Sequence, residues 1–168
     1  MMEALAAAAI LGGINTLADY AMIAFELQAR PLYALGRAVL IGYCIGGLVG
    51  ARARQLMIGT MSGLLIGLLV GAVYVLLAPA LGAGALGVGL ALFWIGFALL
   101  EMLLAGTSRV ENAVLRGALA AIVSGVVFYA LNAVWPERSM KDPSLARLML
   151  VWAGAFFPGF VLLFWSRL

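Results

Sequence analysis

Long apolar segments alternate with short polar stretches along this chain, and the pattern predicts membrane-spanning helices. A helix needs about 20 mostly apolar residues to cross the hydrocarbon core of a bilayer. The second predicted span is the shortest, and we expect its true start to lie nearer Pro31. The six predicted spans are Ala4–Phe25, Gly36–Gly50, Met57–Ala78, Gly84–Ala105, Val114–Trp135 and Leu148–Trp165.

The composition supports this interpretation. Of the 168 residues, 66% are hydrophobic and only 10% are charged, and the mean hydropathy is +1.16. A soluble domain has about 25% charged residues. Because the six spans take up nearly the whole chain, we predict an all-α integral membrane protein, with one compact six-helix transmembrane domain over residues 1–168 and both termini on the same side of the membrane.

The basic residues lie mostly near the predicted helix ends, where they would meet lipid headgroups. Arg52 and Arg54 form the densest and shortest basic turn, and cytoplasmic loops carry the excess of Lys and Arg. We therefore predict cytoplasmic termini. The composition, rich in Ala, Gly, Leu and Arg and poor in Lys, indicates a bacterial cytoplasmic membrane. There is no basic cluster of five to eight residues, so no nucleic-acid partner is expected.

The second and third predicted spans carry two runs of glycines at four-residue spacing. Small residues let two backbones approach closely in a bilayer, where no hydrophobic force drives helices together. The runs therefore predict a close-packed wall formed by these two helices. The seven glycines are Gly42, Gly46, Gly50, Gly59, Gly63, Gly67 and Gly71.

The residue inventory argues against an enzyme. The chain has no histidine, which removes the commonest general base and metal ligand. Cys44 is the single cysteine, so an intramolecular disulfide is excluded. The seven acidic residues are scattered, with no pair at metal-binding spacing on one helix. We predict no catalytic residues, no metal and no cofactor other than a bound lipid.

Two acidic residues fall inside predicted spans, where a charge is costly and usually faces a cavity or a partner. Asp19 shares a helix face with Asn15, four residues earlier. Glu101 lies near the end of the fourth span. Each has two interpretations. Asp19 either sits at headgroup level or lines an interhelical pocket, and Glu101 either pairs with Arg109 or another loop arginine or lines the same pocket.

The last two predicted spans are rich in aromatic residues. Pro158 lacks a backbone N–H and predicts a kink or local opening in the sixth span. Such a break could shape a pocket for an apolar ligand. The alternative is that Trp152 or Trp165 anchors the helix at the interface and the phenylalanines pack or face lipid. The pocket candidates in these two spans are Tyr129, Asn132, Trp152, Phe156, Phe157 and Gly159.

The final 60 residues or so resemble the tail of the Insig family of six-helix membrane proteins. The similarity lies in a basic turn, Thr107-Ser108-Arg109, then Tyr129 and Asn132, an Asp142-Pro143 loop, and a helix with Trp152 and Phe156-Phe157-Pro158-Gly159. The resemblance implies a bacterial-type homologue that binds a lipid-like or sterol-like ligand, diacylglycerol among the candidates. It implies a sensor or scaffold with membrane lipid as its partner and no catalysis.

Two other functions remain open. The substrate-binding subunits of energy-coupling-factor vitamin transporters are similar in size and dock on a membrane partner through small residues at four-residue spacing, which Ala4, Ala8 and Gly12 also show. A structural assembly protein would instead use its glycine faces to form a homo-oligomer. In that case Gly63→Leu or Gly67→Leu should dissociate the oligomer.

Overall fold

The computed structural model describes residues 1–25, 31–82, 84–106, 109–135 and 144–165. It confirms the predicted all-α architecture, because the described ranges form six helices and contain no strand, and every helix is long and apolar enough to cross a membrane. This is the architecture of an integral membrane protein. The helices are α1 (Met2–Ala24), α2 (Pro31–Arg52), α3 (Leu56–Leu81), α4 (Gly84–Ala105), α5 (Val110–Val134) and α6 (Leu145–Phe164).

Most helices begin before the apolar windows that predicted them, and the differences are largest for α2 and α5. α2 starts at Pro31, where the fixed φ of proline suits the first position of a helix. Arg37 therefore lies nearly two turns inside α2, although the sequence had placed it at the end of a span. α5 starts at Val110, before the predicted span Val114–Trp135 that contained Arg116. Both arginines therefore lie deeper within their helices than the apolar windows placed them.

The helices run alternately up and down, with α2 packed on α3, α1 on α6, and α5 between α4 and α6. We call the end of the bundle that contains the start of α2 the Pro31 end, and the end that contains the start of α1 the Met2 end. α3 packs on α4 and joins the α2–α3 pair to the rest of the bundle. α1 and α2 also meet, and the candidate site lies at that contact.

The seven glycines of the two runs are all buried, and they bring α2 and α3 together. A Cβ built on Gly46 would lie 2.3 Å from the carbonyl oxygen of Gly59 and 2.6 Å from the Cα of Gly63. Similarly, a Cβ on Gly42 would lie 2.4 Å from the Gly63 carbonyl oxygen. Any larger residue would force the two backbones apart, which explains why glycine stands at these positions.

The centre of the bundle is aromatic. Trp94 is fully buried, and its ring meets that of Phe160 edge-to-face at 5.4 Å between centroids. Gly159 leaves room for this indole, since a Cβ there would lie 2.2 Å from a ring carbon of Trp94. α6 continues as a helix through Pro158. Next to the proline, Gly159 and Phe160 pack against Trp94 of α4.

Candidate functional site

A cavity of about 450 Å³ lies in the half of the bundle nearest the Pro31 end. Five helices form its walls, α1, α2, α3, α4 and α6. Most of the lining is aliphatic or aromatic, as in typical small-molecule sites. The apolar lining includes Ala34, Ile41, Val70, Val75, Leu86, Leu90, Phe93 and Phe156.

One part of the wall is polar, and Arg37 is at its centre. The Arg37 Nη1 lies 2.5 Å from the Asp19 Oδ1, and Nε and Nη2 donate to the Asn15 Oδ1 at 3.0 and 2.7 Å. Asn15 and Asp19 lie one turn apart on α1, so a single guanidinium reaches both side chains. This is the helix face that the sequence predicted to be polar.

Trp152 completes the group from α6. Its indole Nε1 donates a hydrogen bond of 2.5 Å to the Asp19 Oδ2. The Arg37 guanidinium carbon lies 4.7 Å from the centre of the Trp152 ring, within the range of a cation–π contact. We call Asn15, Asp19, Arg37 and Trp152 the polar cluster. It joins α1, α2 and α6 at one point.

The polar cluster is largely buried, so its charged groups need partners. Asn15 is fully buried and Asp19 is 8% exposed. A lone charge in such surroundings is costly, and it is tolerated when it is paired and its hydrogen bonds are satisfied. Both oxygens of Asp19 accept a hydrogen bond, and the amide of Asn15 donates to the Leu11 carbonyl oxygen. The pair carries no net charge.

Two tyrosine hydroxyls add to the polar lining of the cavity. Tyr33, on α2, donates a hydrogen bond to the Ala18 carbonyl oxygen on α1. Its oxygen lone pairs stay available as acceptors. Tyr74, on α3, also lines the cavity. An amphipathic ligand would therefore find a few polar groups, Arg37 among them, within mostly apolar walls.

The structure brings together only some of the predicted pocket residues. Trp152 and Phe156 line the cavity, and Asp19 binds Arg37 in its wall. Tyr129 lies half-exposed on α5, a helix that contributes none of the described lining residues. Asn132 instead accepts a hydrogen bond of 2.7 Å from the Arg147 Nη2.

Two further candidates belong to the core. Phe157 is partly buried against the hydrophobic core, and Gly159 packs on the Trp94 ring. The break expected at Pro158 suggested a common pocket, but of these α6 candidates only Trp152 and Phe156 line the cavity. Phe157 and Gly159 instead contribute to packing between α6 and its neighbours.

Glu101 lies in the opposite half of the bundle, toward the Met2 end. It is 4% exposed, and the Arg116 Nη2 lies 3.2 Å from its Oε2. Arg116 also donates to the Leu163 carbonyl oxygen at 3.3 Å. This ion pair joins α4, α5 and α6. Of the two interpretations offered for Glu101, the geometry matches pairing with an arginine, although that arginine is on a helix and not in a loop.

Arg37 is the charged site residue that was not among the predicted candidates. It lay at the start of the second predicted span, Gly36–Gly50, where it gave no sign of facing Asp19. Two signals could have found it. A span of 15 residues is too short to cross a bilayer, and a buried Asp19 requires a cationic partner. Extending the span to Pro31 places Arg37 at a suitable depth.

The small residues that suggested docking on a partner are used within the chain. Ala4 and Ala8 are buried in the core. A Cβ on Gly12 would lie 2.8 Å from the backbone nitrogen of Ala153 on α6. Together with the glycines between α2 and α3, these residues explain how the described helices pack on one another.

Comparisons with protein-family models, curated proteins and solved structures give no match for this chain. Within the described ranges, no group of three or more His, Cys, Asp or Glu side chains is placed to hold a metal ion. The cavity and the polar cluster are therefore the features on which a functional interpretation rests.

Proposed function

We propose that this membrane protein binds a lipid-like or sterol-like molecule in the cavity between its helices, and that it acts as a sensor or scaffold without catalysing a reaction. The observation that carries the proposal is a cavity of about 450 Å³ with mostly apolar walls and one polar part of the wall centred on Arg37. Ligand sites of about 300–1,000 Å³ with a few placed polar groups are typical of small-molecule binding.

The lining favours an amphipathic ligand in one orientation. Its apolar part would lie against the aliphatic and aromatic walls around Phe93 and Phe156. Its polar group would lie beside Arg37 and the hydroxyl of Tyr33. A diacylglycerol or a sterol has this division of polarity. The absence of histidine from the sequence and the pairing of Asp19 support a binding role over catalysis.

The resemblance of the final third of the chain to the Insig family supports the same kind of function, since that family binds ligands among six membrane helices. We propose a bacterial-type relative, in the cytoplasmic membrane with cytoplasmic termini. The aromatic residues Trp152 and Phe156, on which part of the resemblance rests, are also the two residues of α6 that line the cavity.

Native mass spectrometry after mild detergent extraction tests the proposal. The wild-type protein should retain a lipid, and added diacylglycerol or sterol should raise its thermal stability. Gly89 lines the cavity, and a Cβ there would make only an ordinary contact of 3.8 Å with Val70. Gly89→Leu should therefore fold, place its side chain in the cavity and reduce lipid retention severalfold.

Gly87→Leu provides the matched control on the same helix. A Cβ at Gly87 would meet nothing within 4 Å, and Gly87 is exposed and outside the cavity lining. This variant should retain lipid like the wild type. A wild-type protein that retains no lipid, and whose stability ignores added diacylglycerol and sterol, would contradict the proposal. Copurification with a larger membrane partner and nucleotide-binding subunits would favour the transporter function instead.

A further inference from the structure

We infer that Asp19 sets the charge selectivity of the cavity: by neutralising Arg37 it makes the site accept lipids with an uncharged headgroup that accepts hydrogen bonds. The inference rests on the proposed function and adds the chemical class of the ligand. It also assigns Asp19 a positioning role, because Asp19 acts on the ligand through Arg37.

The placement of the two charges supports this role. Arg37 lines the cavity, whereas Asp19 lies behind it and is not part of the lining. Among the described lining residues, Arg37 is the one with a full charge. A ligand in the cavity would therefore contact the Arg37 guanidinium directly. The Asp19 carboxylate would stay behind the guanidinium, 2.5 Å from its Nη1.

The hydrogen bonds of the cluster define what the ligand must supply. A guanidinium has five N–H groups. Its contacts with Asn15 and Asp19 engage three of them, which leaves two to donate. The Asn15 amide and both Asp19 oxygens already have partners. The cluster thus offers donors and no net charge, which suits ester or ketone carbonyl oxygens.

An anionic headgroup fits poorly for an electrostatic reason. A ligand carboxylate beside Arg37 would place a second negative charge close to Asp19, and one cation would then face two anions. Coulomb interactions are much stronger in a low-dielectric interior than in water, so the repulsion is not screened away. Asp19→Asn would remove it and leave Arg37 as an uncompensated cation next to the cavity.

The experiment compares oleic acid with methyl oleate, which share an acyl chain and differ in headgroup charge. Purified protein is offered both at equal concentration, at a pH where the free acid is ionised, and native mass spectrometry measures the ratio of the two adducts. Wild-type protein should favour methyl oleate by about tenfold, corresponding to 1.4 kcal/mol. Asp19→Asn should shift the ratio toward oleate by tenfold or more.

Glu101→Gln is the matched control, because it changes the net charge equally but acts on the ion pair in the other half of the bundle. It should keep the wild-type ratio. The double variant Asp19→Asn, Arg37→Gln should lose the gain in oleate binding, because it removes the uncompensated cation.

The outcomes separate the two proposals. A wild-type preference for oleate, or an Asp19→Asn ratio equal to that of Glu101→Gln, would overturn the inference and leave lipid binding intact. Should Asp19→Asn not fold, the wild-type preference decides the question without a variant. Retention of neither probe by wild-type protein would overturn the proposed function and this inference with it.

Discussion

The indole of Trp152 donates its N–H to the carboxylate of Asp19, 2.5 Å away across 133 positions of sequence. This contact joins the first helix to the last at the wall of the cavity. Asp19 in turn holds Arg37 of α2. Three helices are therefore fixed relative to one another by hydrogen bonds that involve charged groups, which are stronger than neutral ones.

Removing the hydrogen bond between Trp152 and Asp19 should destabilise the protein. Trp152→Phe keeps an aromatic ring over Arg37 but removes the donor to Asp19. A hydrogen bond to a charged group contributes about 1.5–3 kcal/mol, and we expect the free energy of unfolding to fall by that amount. Unfolding in mixed detergent micelles with increasing dodecyl sulfate measures it. Trp165→Phe, at a residue that is 60% exposed, is the control and should change little.

Asp19→Asn should destabilise the protein more than Trp152→Phe does. It leaves the guanidinium of Arg37 without its counter-charge, and breaking a buried ion pair typically costs about 3–5 kcal/mol. The Arg37 side chain is 18% exposed and the Asp19 side chain is 11% exposed, so we expect a loss near the lower end of this range. The same unfolding titration applies. Glu111→Gln, at an exposed acid on α5, should stay within about 0.5 kcal/mol of the wild type.

At the glycine contact between α2 and α3, alanine substitutions at two adjacent positions should change the free energy of unfolding differently. Gly46→Ala should destabilise the protein, because its Cβ would lie 2.3 Å from a backbone oxygen of α3. At Gly47, the nearest atom is the Thr60 hydroxyl oxygen at 3.5 Å. Gly47→Ala should therefore be neutral or stabilising by up to about 1 kcal/mol, the helix preference of alanine over glycine. Equal losses at both positions would refute the close packing.

A third glycine tests the packing of the aromatic core. Gly159→Ala would place a methyl group 2.2 Å from a carbon of the fully buried Trp94 ring. Overpacking of this kind costs about 1–3 kcal/mol. Thermal unfolding of the purified protein should show a lower midpoint, and the fluorescence of Trp94 should change as the ring shifts. Gly13→Ala, with nothing within 4 Å of its Cβ, should leave both unchanged.

The sequence predicted the helices well because apolar length alone specifies a membrane span. Helix ends were less predictable. The helices that begin at Pro31 and Val110 carry Arg37 and Arg116 nearly two turns inside them. The apolar windows placed both arginines near the start of a span, because charged residues lower the mean hydropathy of a window whatever their partners are. Several predicted features, among them the Asp142-Pro143 loop and the Thr107-Ser108 turn, lie outside the described residues.

The site was predictable only in part, for a similar reason. Asp19 stood out because a charge within a span is rare, and Trp152 and Phe156 because the sixth span is rich in aromatic residues. That Trp152 contacts Asp19 depends on α1 packing on α6, which no local pattern specifies. Tyr129 was a candidate because it lies in the aromatic-rich fifth span and carries part of the family resemblance, yet α5 contributes none of the described lining residues.

The central claim is that a lipid occupies the cavity between the helices, and photolabelling tests it most directly. The protein in lipid bilayers is given a diacylglycerol with a diazirine in one acyl chain, illuminated, and mapped by peptide mass spectrometry. We predict adducts on the cavity residues Tyr74, Phe93 and Phe156, lost in Gly89→Leu and kept in Gly87→Leu. Adducts confined to exposed apolar residues such as Leu65 and Leu69 would contradict it.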